Sequence, residues 1–217
     1  ASDQPNNALS LNVMQPGEVA TTAGTSGVIY GVAEKVSPDQ QSRLNCFAHV
    51  NHTVEQQRIG LLLCINGCGI MNKMARQWMA PAMSYEAINE IASTIAPGSE
   101  GISILPFGNG AERMLNNQLV GAQILNLDLN RHSTAHLLRA TQEGIAFAFR
   151  YGFDIMRSMG MQPSMIRAGA ANMFQSPVFA DAFVNITNTP VELYHTDGAT
   201  GAALGAGIGA GFFGEKD

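Results

Sequence analysis

The segment from Thr134 to Met159 constrains the fold most, because it is long and its apolar residues recur at helical spacing. Steps of three and four residues place one apolar stripe along a helix, and Gly160 is typical of the residue that ends one. The stripe comprises Leu137, Leu138, Thr141, Ile145, Phe149, Phe153 and Met156. Such a stripe must be buried against another layer of secondary structure, so the chain needs a sheet or further helices beside it.

Strand signals on both sides of this helix predict a sheet. Gly17–Glu34 is typical of two strands around a glycine turn, because β-branched residues flank the glycines. Leu44–His52 contains a short predicted strand. After the long helix, Met165–Ala168 and Val191–His195 are predicted strands on either side of a helix over Ser176–Ile186, which has Pro in its first turn.

The remaining segments complete an α/β pattern. Gln57–Met79 and Ser84–Ile95 are predicted helices, the second with Ser84 as its N-cap. Ile102–Phe107 is a predicted short buried strand, and Gly198–Gly211 is a predicted helix of small residues. Strands come first and then alternate with helices, which predicts one α/β domain with a sheet between helices.

The composition excludes several function classes. A net charge of −5 and a pI of about 5.5, with no basic cluster, argue against nucleic acid as a partner. No stretch resembles a signal peptide or a transmembrane helix, so we expect no membrane partner and a cytoplasmic location. The three cysteines, Cys46, Cys64 and Cys68, predict neither a disulfide framework nor a zinc site.

Two glycine-containing segments are candidate ligand sites on the evidence of their residues alone. In Gly24-Thr25-Ser26-Gly27 the glycines let backbone N–H groups approach phosphate oxygens, and two hydroxyls can donate. A hairpin turn that binds no ligand can have the same sequence, so this alternative stays open. The alternating glycines of 205–211 lack the G-x-G-x-x-G spacing of a dinucleotide site and predict close packing of a helix instead.

Four segments together resemble the FGGY carbohydrate kinases, and the resemblance runs from Asp3 to the end of the chain. The first is Ser2-Asp3-Gln4, where the family has Gly-Asp-Gln or Gly-Asp-Asn. The resemblance implies that Asp3 is the catalytic base and binds the sugar, and that Gln4 hydrogen-bonds the sugar. A carboxylate suits this role, because it can accept the proton of a sugar hydroxyl that attacks the γ-phosphate of ATP. The spacing from Asp3 to the Gly24 turn also fits the family.

The second and fourth segments imply nucleotide contacts. Arg167–Asn172 resembles the family's glycine-rich turn for adenosine, and Phe174 beyond it either stacks on the base or lies in the core. A softer match assigns contacts to Gly69 and to Asn72 or Lys73. The residues that the resemblance implies for ATP are Gly24, Thr25, Ser26, Gly69, Asn72, Gly169, Ala170 and Phe174.

The third segment, Ala122–Gly144, resembles the family's second signature and is interpreted as structural. It departs at Asn126, where the family has Gly, and at Gln142, where the family has an apolar residue. Upstream, Gly110-Ala111-Glu112-Arg113 resembles the family's Gly-Glu-Arg with one residue inserted, and Glu112 and Arg113 are expected to form a salt-bridged turn. His136 is predicted to cap or line the start of a helix.

Taken together, the resemblance implies a ribonuclease-H-like lobe, as in actin and hexokinase, with a mixed sheet and flanking helices. Residues 1–217 would be the C-terminal nucleotide-binding lobe of a two-lobe sugar kinase, with its N-terminal lobe absent. The implied cofactors are ATP and Mg²⁺, with no metal bound directly by the protein.

The implied reaction is ATP-dependent phosphorylation of a ketose. The chain is most similar to the members that act on D-xylulose, ahead of glycerol, ribulose or gluconate. A non-catalytic nucleotide-binding module of the same superfamily is the alternative. The chain alone is expected to be inactive, because the missing lobe forms half of the cleft, and a homodimer is compatible with the sequence.

Overall fold

The computed structural model describes residues 3–213 of the chain. They form ten strands and six α-helices, and helices alternate with strands from the helix α4 (Thr134–Ser158) onward. The strands are β1 (Val19–Ala23), β2 (Gly27–Ala33), β3 (Asn45–Ala48), β4 (Ile59–Ile65), β5 (Ser103–Leu105), β6 (Ala111–Glu112), β7 (Gln118–Leu119), β8 (Gln123–Leu125), β9 (Ile166–Gly169) and β10 (Val191–Tyr194). The helices are α1 (Asp3–Ser10), α2 (Gly69–Met79), α3 (Tyr85–Ser93), α4 (Thr134–Ser158), α5 (Pro177–Thr187) and α6 (Gly198–Gly209).

A six-stranded mixed sheet forms the centre, in the order β10-β9-β1-β2-β4-β3. β1 and β2 form an antiparallel hairpin, and β4 pairs antiparallel with both β2 and β3. β9 pairs parallel with β1 and with β10, because α4 and α5 carry the chain back between these strands. The carboxyl ends of β1, β9 and β10 therefore meet at one edge of the sheet. β5 pairs with β8 and β6 with β7 in two small separate ladders.

Helices cover both faces of the sheet, and alternate residues of each strand point to opposite faces. Ile29, Leu61 and Leu63 are buried in the main core, which α4 and α5 complete with a cluster of phenylalanines. Tyr30 and Val32 point the other way, into a smaller core beneath α1. This alternation is the pattern of a strand buried on both faces.

α1 and α6 pack closely on that second face. A Cβ at Gly201 would lie 1.7 Å from the backbone oxygen of Asn6, so the approach of the two helices requires glycine there. Gly205 also faces α1, near Leu9, whereas Gly209 has open space around it. The predicted close packing of the small-residue helix is confirmed at these two contacts. α1 itself had no predicted counterpart.

The predicted helix over Gln57–Met79 is wrong in its first half. Ile59–Ile65 is β4, a strand between two neighbours, and the helix begins only at Gly69. A continuous apolar run fits a buried strand as well as a buried helix, and pairing with β2 and β3 decided between them.

The other predicted elements are confirmed, with boundaries moved by a few residues. α4 spans Thr134–Ser158, and its first turn has a capping box in which His136 Nδ1 accepts from the N–H of Ser133. Ser84 caps α3 by accepting from the N–H of Ala87. No helix in residues 3–213 combines the length and the apolar character needed to cross a bilayer.

The predicted Glu112–Arg113 salt bridge is wrong. The Glu112 carboxylate accepts the backbone N–H groups of Asn66 and Gly67, at 3.0 and 2.9 Å. Arg113 points away and donates to the carbonyl of Ser42 and the side chain of Asn45. Glu112 ends the short strand β6 and Arg113 begins the 3-10 turn Arg113–Leu115, and the two side chains bond to different partners.

Candidate functional site

Two adjoining cavities open at the carboxyl ends of β1 and β9. The smaller, about 220 Å³, is lined by Asp3 and is called the Asp3 cavity here. The larger, about 400 Å³, lies between the β1–β2 turn, α2 and α3, and is called the α2–α3 cleft. Ala23 and Asn172 line both, so the two spaces share a wall. Ligands of α/β sheets bind outside the carboxyl ends of strands, which makes this edge the candidate site.

The Asp3 cavity is lined by residues of α1, β1, β9 and the start of α6, together with the turn after β9. Asp3 and Gln4 come from the first turn of α1, and the Gln4 amide donates to the Asp3 carboxylate at 3.3 Å. Asn7 anchors this helix to the sheet by donating to the Thr22 hydroxyl at 3.1 Å. The Asp3 side chain is exposed to the cavity, and its position follows from the docking of α1 on α6.

A second carboxylate, Asp197, lines the same cavity as the N-cap of α6. Its Oδ1 accepts the N–H and the hydroxyl of Thr200, at 2.9 and 3.0 Å. The backbone N–H of Thr200 is the main reason that the pKa of Asp197 lies below its usual value, and the Thr200 hydroxyl adds to this effect. Asp197 is therefore committed to capping a helix, whereas Asp3 is exposed and bonds only to Gln4 among the described residues.

The β1–β2 turn is held against the start of α2. The N–H of Gly69 donates to the carbonyl of Gly24 at 2.9 Å, and the N–H of Ile70 donates to that of Thr25 at 3.1 Å. A Cβ at Gly69 would lie 2.4 Å from the Gly24 oxygen, so any side chain there would displace the turn. These contacts fix the turn where the two cavities meet.

Polar side chains from two helices line the α2–α3 cleft beyond this turn. Asn72 and Lys73 come from α2, and Tyr85, Glu86 and Asn89 come from α3. Asn72 is only 5% exposed, and its Oδ1 is buried without a hydrogen-bond partner among the described residues. A buried acceptor without a partner costs free energy, which a ligand donor in the cleft would recover.

Asn172, in the shared wall, has a left-handed backbone conformation with φ of +55°. It starts the short 3-10 turn Asn172–Gln175 that follows β9. Asparagine adopts this conformation more readily than most residues, but at some energetic cost. The turn places Met173, Gln175 and Ser176 along the cleft.

The structure brings most of the predicted site residues together. Gly24, Thr25, Gly69 and Asn72 line the α2–α3 cleft, together with Lys73, the sequence alternative to Asn72. Asp3, Gln4 and Gly169 line the Asp3 cavity, so Gly169 lies beside the predicted base rather than in the cleft expected for adenosine.

Ser26 and Ala170 line neither cavity. Ser26 follows the exposed tip of the turn, and the N–H of Ala170 is used by the carbonyl of Tyr194, at 2.8 Å.

The sequence left Phe174 either stacked on a base or in the core, and in the structure it lies in the core. Phe174 is 6% exposed, and its ring packs edge-on against Phe179 and Phe183, each 5.2 Å away between ring centroids. The 3-10 turn rotates Phe174 into the main core and leaves its neighbours Met173 and Gln175 at the cleft.

Sequence reasoning missed the contribution of α3 and, after β9, of Gln175 and Ser176, which also line the cleft. Tyr85, Glu86 and Asn89 lie on a helix that the sequence predicted, but nothing in their spacing showed which helix face meets the β1–β2 turn. Asn172 gave a usable signal, since asparagine directly after a strand of small residues is typical of a left-handed turn.

A further cavity, of about 750 Å³, lies between α1, α6 and β3, and none of the predicted site residues lines it. Its wall includes His49, whose Nδ1 lies 2.8 Å from the Tyr30 hydroxyl. Burial lowers the pKa of His49 to about 4. Among residues 3–213 no group of three or more His, Cys, Asp or Glu side chains is placed to bind a metal.

Comparison with known proteins adds a family context to this geometry. Residues 19–212 match the sequence model of a protein family, described as the FGGY family of carbohydrate kinases, C-terminal domain. A xylulose kinase of Haemophilus influenzae is 30% identical over 206 residues, covering 94% of the chain and 39% of that protein. A gluconokinase of Bacillus licheniformis is 30% identical over 158 residues, covering 68% of the chain and 29% of that protein. The chain thus spans less than half the length of these relatives.

Solved structures show the same fold. Plasmodium falciparum glycerol kinase with ADP superimposes with a TM-score of 0.83 at 21% identity, covering 97% of this chain and 42% of that one. The likeness confirms the predicted fold, a mixed sheet with flanking helices.

Proposed function

Because the chain belongs to the FGGY family of carbohydrate kinases, we propose that it is the ATP-binding lobe of a kinase that phosphorylates a ketose, D-xylulose in first place. In this proposal residues 1–217 supply the catalytic base and most of the nucleotide site. A second lobe supplies the facing wall of the cleft and most sugar contacts.

The observation that carries the proposal is the shared wall between the Asp3 cavity and the α2–α3 cleft. A kinase must hold the attacking hydroxyl and the γ-phosphate beside each other. Here an exposed carboxylate adjoins a glycine turn and a cleft with unsatisfied polar groups. A nucleotide in the cleft with its phosphates at Gly24 and Thr25 would direct its γ-phosphate toward Asp3.

Each residue then has a stated task. Asp3 accepts the proton of the sugar hydroxyl as its oxygen attacks the γ-phosphorus and ADP leaves, and Gln4 donates to the sugar or orients Asp3. The backbone and hydroxyl of Thr25 contact phosphate oxygens. The adenine base of ATP lies toward Asn72 and Asn89. It does not stack on Phe174, which was one of the two positions that the sequence left open.

Mg²⁺ fits this arrangement as an ion brought in on the nucleotide phosphates. It prefers oxygen ligands and keeps several waters, so it needs few ligands from the protein. The carboxylates of Asp3 and Asp197 line the cavity where those phosphates would end. When bound, the ion neutralises charge that develops on the transferred phosphoryl group.

The choice of D-xylulose rests on the relatives. The Haemophilus influenzae protein that matches 94% of the chain is a xylulose kinase. The relative named for gluconate is similar in sequence, and the structure named for glycerol shares the fold. Gluconate and glycerol are therefore the competing substrates, and the sugar contacts of the second lobe decide among them.

The test is phosphorylation of D-xylulose, gluconate and glycerol by the two-lobe protein with ATP. We expect D-xylulose to give the highest kcat/KM and Asp3→Asn to lower kcat by about 10²–10⁴. Asp181→Asn is the matched control, because Asp181 is exposed on α5 away from both cavities. Full activity of Asp3→Asn would remove the catalytic role and favour a non-catalytic nucleotide module. The chain of residues 1–217 alone should show no turnover.

A further inference from the structure

Gln142 is a buried amide in the middle of α4. It has 0% exposure, yet it carries four hydrogen-bonding sites into the protein interior. An apolar side chain of similar size would fill the same space without needing partners. The amide is therefore a feature that packing alone does not require.

Gln142 connects two residues that line the α2–α3 cleft. The Ser176 hydroxyl donates to Gln142 Oε1 at 2.7 Å, and Gln142 Nε2 donates to Asn89 Oδ1 at 2.9 Å. Asn89 belongs to α3, and Ser176 caps α5, so the amide ties both helices to α4 behind the cleft wall.

The direction of this relay follows from the cap. The Ser176 oxygen accepts from the N–H of Phe179, so its hydrogen is free to be donated to Gln142. Gln142 then presents its oxygen to Ser176 and its NH₂ to Asn89. Asn89 accepts through Oδ1, which leaves its Nδ2 as a donor without a partner among residues 3–213.

The cleft thus contains one amide group that can donate a hydrogen bond to a ligand and one that can accept a hydrogen bond from it. Asn89 offers a donor on the α3 side, and Asn72 offers the buried, unpartnered acceptor Oδ1 on the α2 side. A purine edge that carries a ring acceptor beside an exocyclic amine is complementary to this pair. Adenine has such edges at N1 and at N7, each beside its amino group.

We propose that Gln142 is a positioning residue that sets base recognition by fixing Asn89 as a hydrogen-bond donor to a ring nitrogen of adenine. The inference rests on the proposed function, since it requires that the α2–α3 cleft holds a nucleotide. It goes beyond that function by naming the group that reads the base and the residue that orients it.

The test measures binding of ATP, 1-deaza-ATP, 7-deaza-ATP and tripolyphosphate to the full chain by calorimetry. Wild type should bind one deaza analogue about three- to tenfold more weakly than ATP, the effect of one neutral hydrogen bond. Gln142→Leu should lose that discrimination, because Asn89 is no longer held. Affinity for tripolyphosphate, which has no base, should not change.

Asn89→Ala is the second variant, since Asn89 is half-buried and its truncation leaves the core intact. It should lose discrimination like Gln142→Leu, and it carries the test if Gln142→Leu does not fold. Asn185→Ala, at an exposed position of α5, is the control and should behave as wild type.

Three results would overturn the inference. Unchanged discrimination in the folded variants would remove the positioning role, and equal binding of all three nucleotides by wild type would remove the donor to the ring. An equal loss of ATP and tripolyphosphate would make Gln142 merely structural. If wild type bound neither ATP nor tripolyphosphate, the proposed nucleotide site would fail as well, which separates the two failures.

Discussion

Two networks of buried polar side chains start from neighbouring positions of α4 and end differently. Arg139 and Glu143 form an ion pair at 2.8 Å, with both side chains less than a tenth exposed. Glu143 also accepts from the N–H of Gly98 and the hydroxyl of Ser99, and Arg139 donates to the carbonyl of Ile95. The hydrogen bonds of this network all end on other groups of the protein, so we call it closed. The Gln142 network instead ends at Asn89, with a donor left over at a cleft.

The difference teaches how to separate structural from ligand-binding polar groups in this fold. A closed network satisfies its own groups and stabilises a local conformation. The ion pair holds the turn Gly98–Gly101, in which Ser99 and Glu100 both have positive φ. An open network leaves one group for a ligand to satisfy. Removing a member of the closed network should therefore cost stability, and removing a member of the open one should chiefly change binding.

The variant Glu143→Leu tests the comparison with the largest expected effect on stability. It leaves the Arg139 guanidinium buried without a counter-ion, so we expect unfolding free energy to fall by about 3–5 kcal/mol. Urea denaturation measures it. The double variant Arg139→Met/Glu143→Leu should regain much of the loss, because no uncompensated charge remains. Glu90→Gln, exposed on α3, is the control and should stay within about 0.5 kcal/mol of wild type. A loss below about 1 kcal/mol in Glu143→Leu would contradict the closed-network account.

A second closed network tests whether the rule extends beyond α4. Glu112 has 0% exposure and accepts two backbone N–H groups, from Asn66 and Gly67. Glu112→Ala leaves both donors buried without an acceptor, so we expect a loss of about 2–4 kcal/mol in unfolding free energy. Glu55→Ala, at an exposed loop position, should change little. Equal stability of both variants would show that the Asn66–Gly67 loop does not depend on this carboxylate.

The open network should respond more weakly in stability. Gln142→Leu replaces a neutral amide by an apolar side chain of similar size, and its partners keep other bonds or reach the cleft. We expect a change of about 1 kcal/mol or less in unfolding free energy. Leu138→Ala, on the same helix and fully buried, provides a comparison and should cost about 2–5 kcal/mol. A loss in Gln142→Leu as large as that of Leu138→Ala would place Gln142 among the structural groups.

The smallest effect is a pH dependence at Glu112. Burial raises the pKa of its carboxyl, and the N–H groups of Asn66 and Gly67 only partly offset this. A raised folded-state pKa contributes stability that is present below the unfolded pKa and is lost as pH rises through the folded pKa. Glu112→Gln cannot ionise. Its unfolding free energy, relative to wild type, should therefore rise between pH 4 and pH 7 in urea titrations at each pH. A constant difference would mean that burial does not perturb this carboxyl.

Much of the fold followed from the sequence, because its signals are local. The stripe of α4, the Ser84 cap and the glycine turn of the β1–β2 hairpin each depend on neighbouring residues. The run Ile59–Ile65 did not follow, since an apolar segment of that length fits a strand or a helix. Sheet pairing on both of its edges decided the matter.

The candidate site divides in the same way. The glycines and hydroxyls of the Gly24 turn suggested a phosphate site from the residues alone, whereas the roles of Asp3, Gly69 and Asn72 came from the resemblance to a family. Only the packing of α1 on α6 and of the β1–β2 turn on α2 brings them to adjoining cavities.

The sequence by itself determined the helices from α3 onward, six of the ten strands and the chemical types of the site residues, because backbone preference and periodicity depend on nearby residues. Tertiary structure decided which way each side chain faces. Phe174 is buried in the core, and Asn89 and Asn72 line the cleft. Gln142 on α4 is hydrogen-bonded to Ser176 at the start of α5 and to Asn89 on α3. Burial and long-range hydrogen bonds depend on residues far apart in the chain, and no local pattern encodes them.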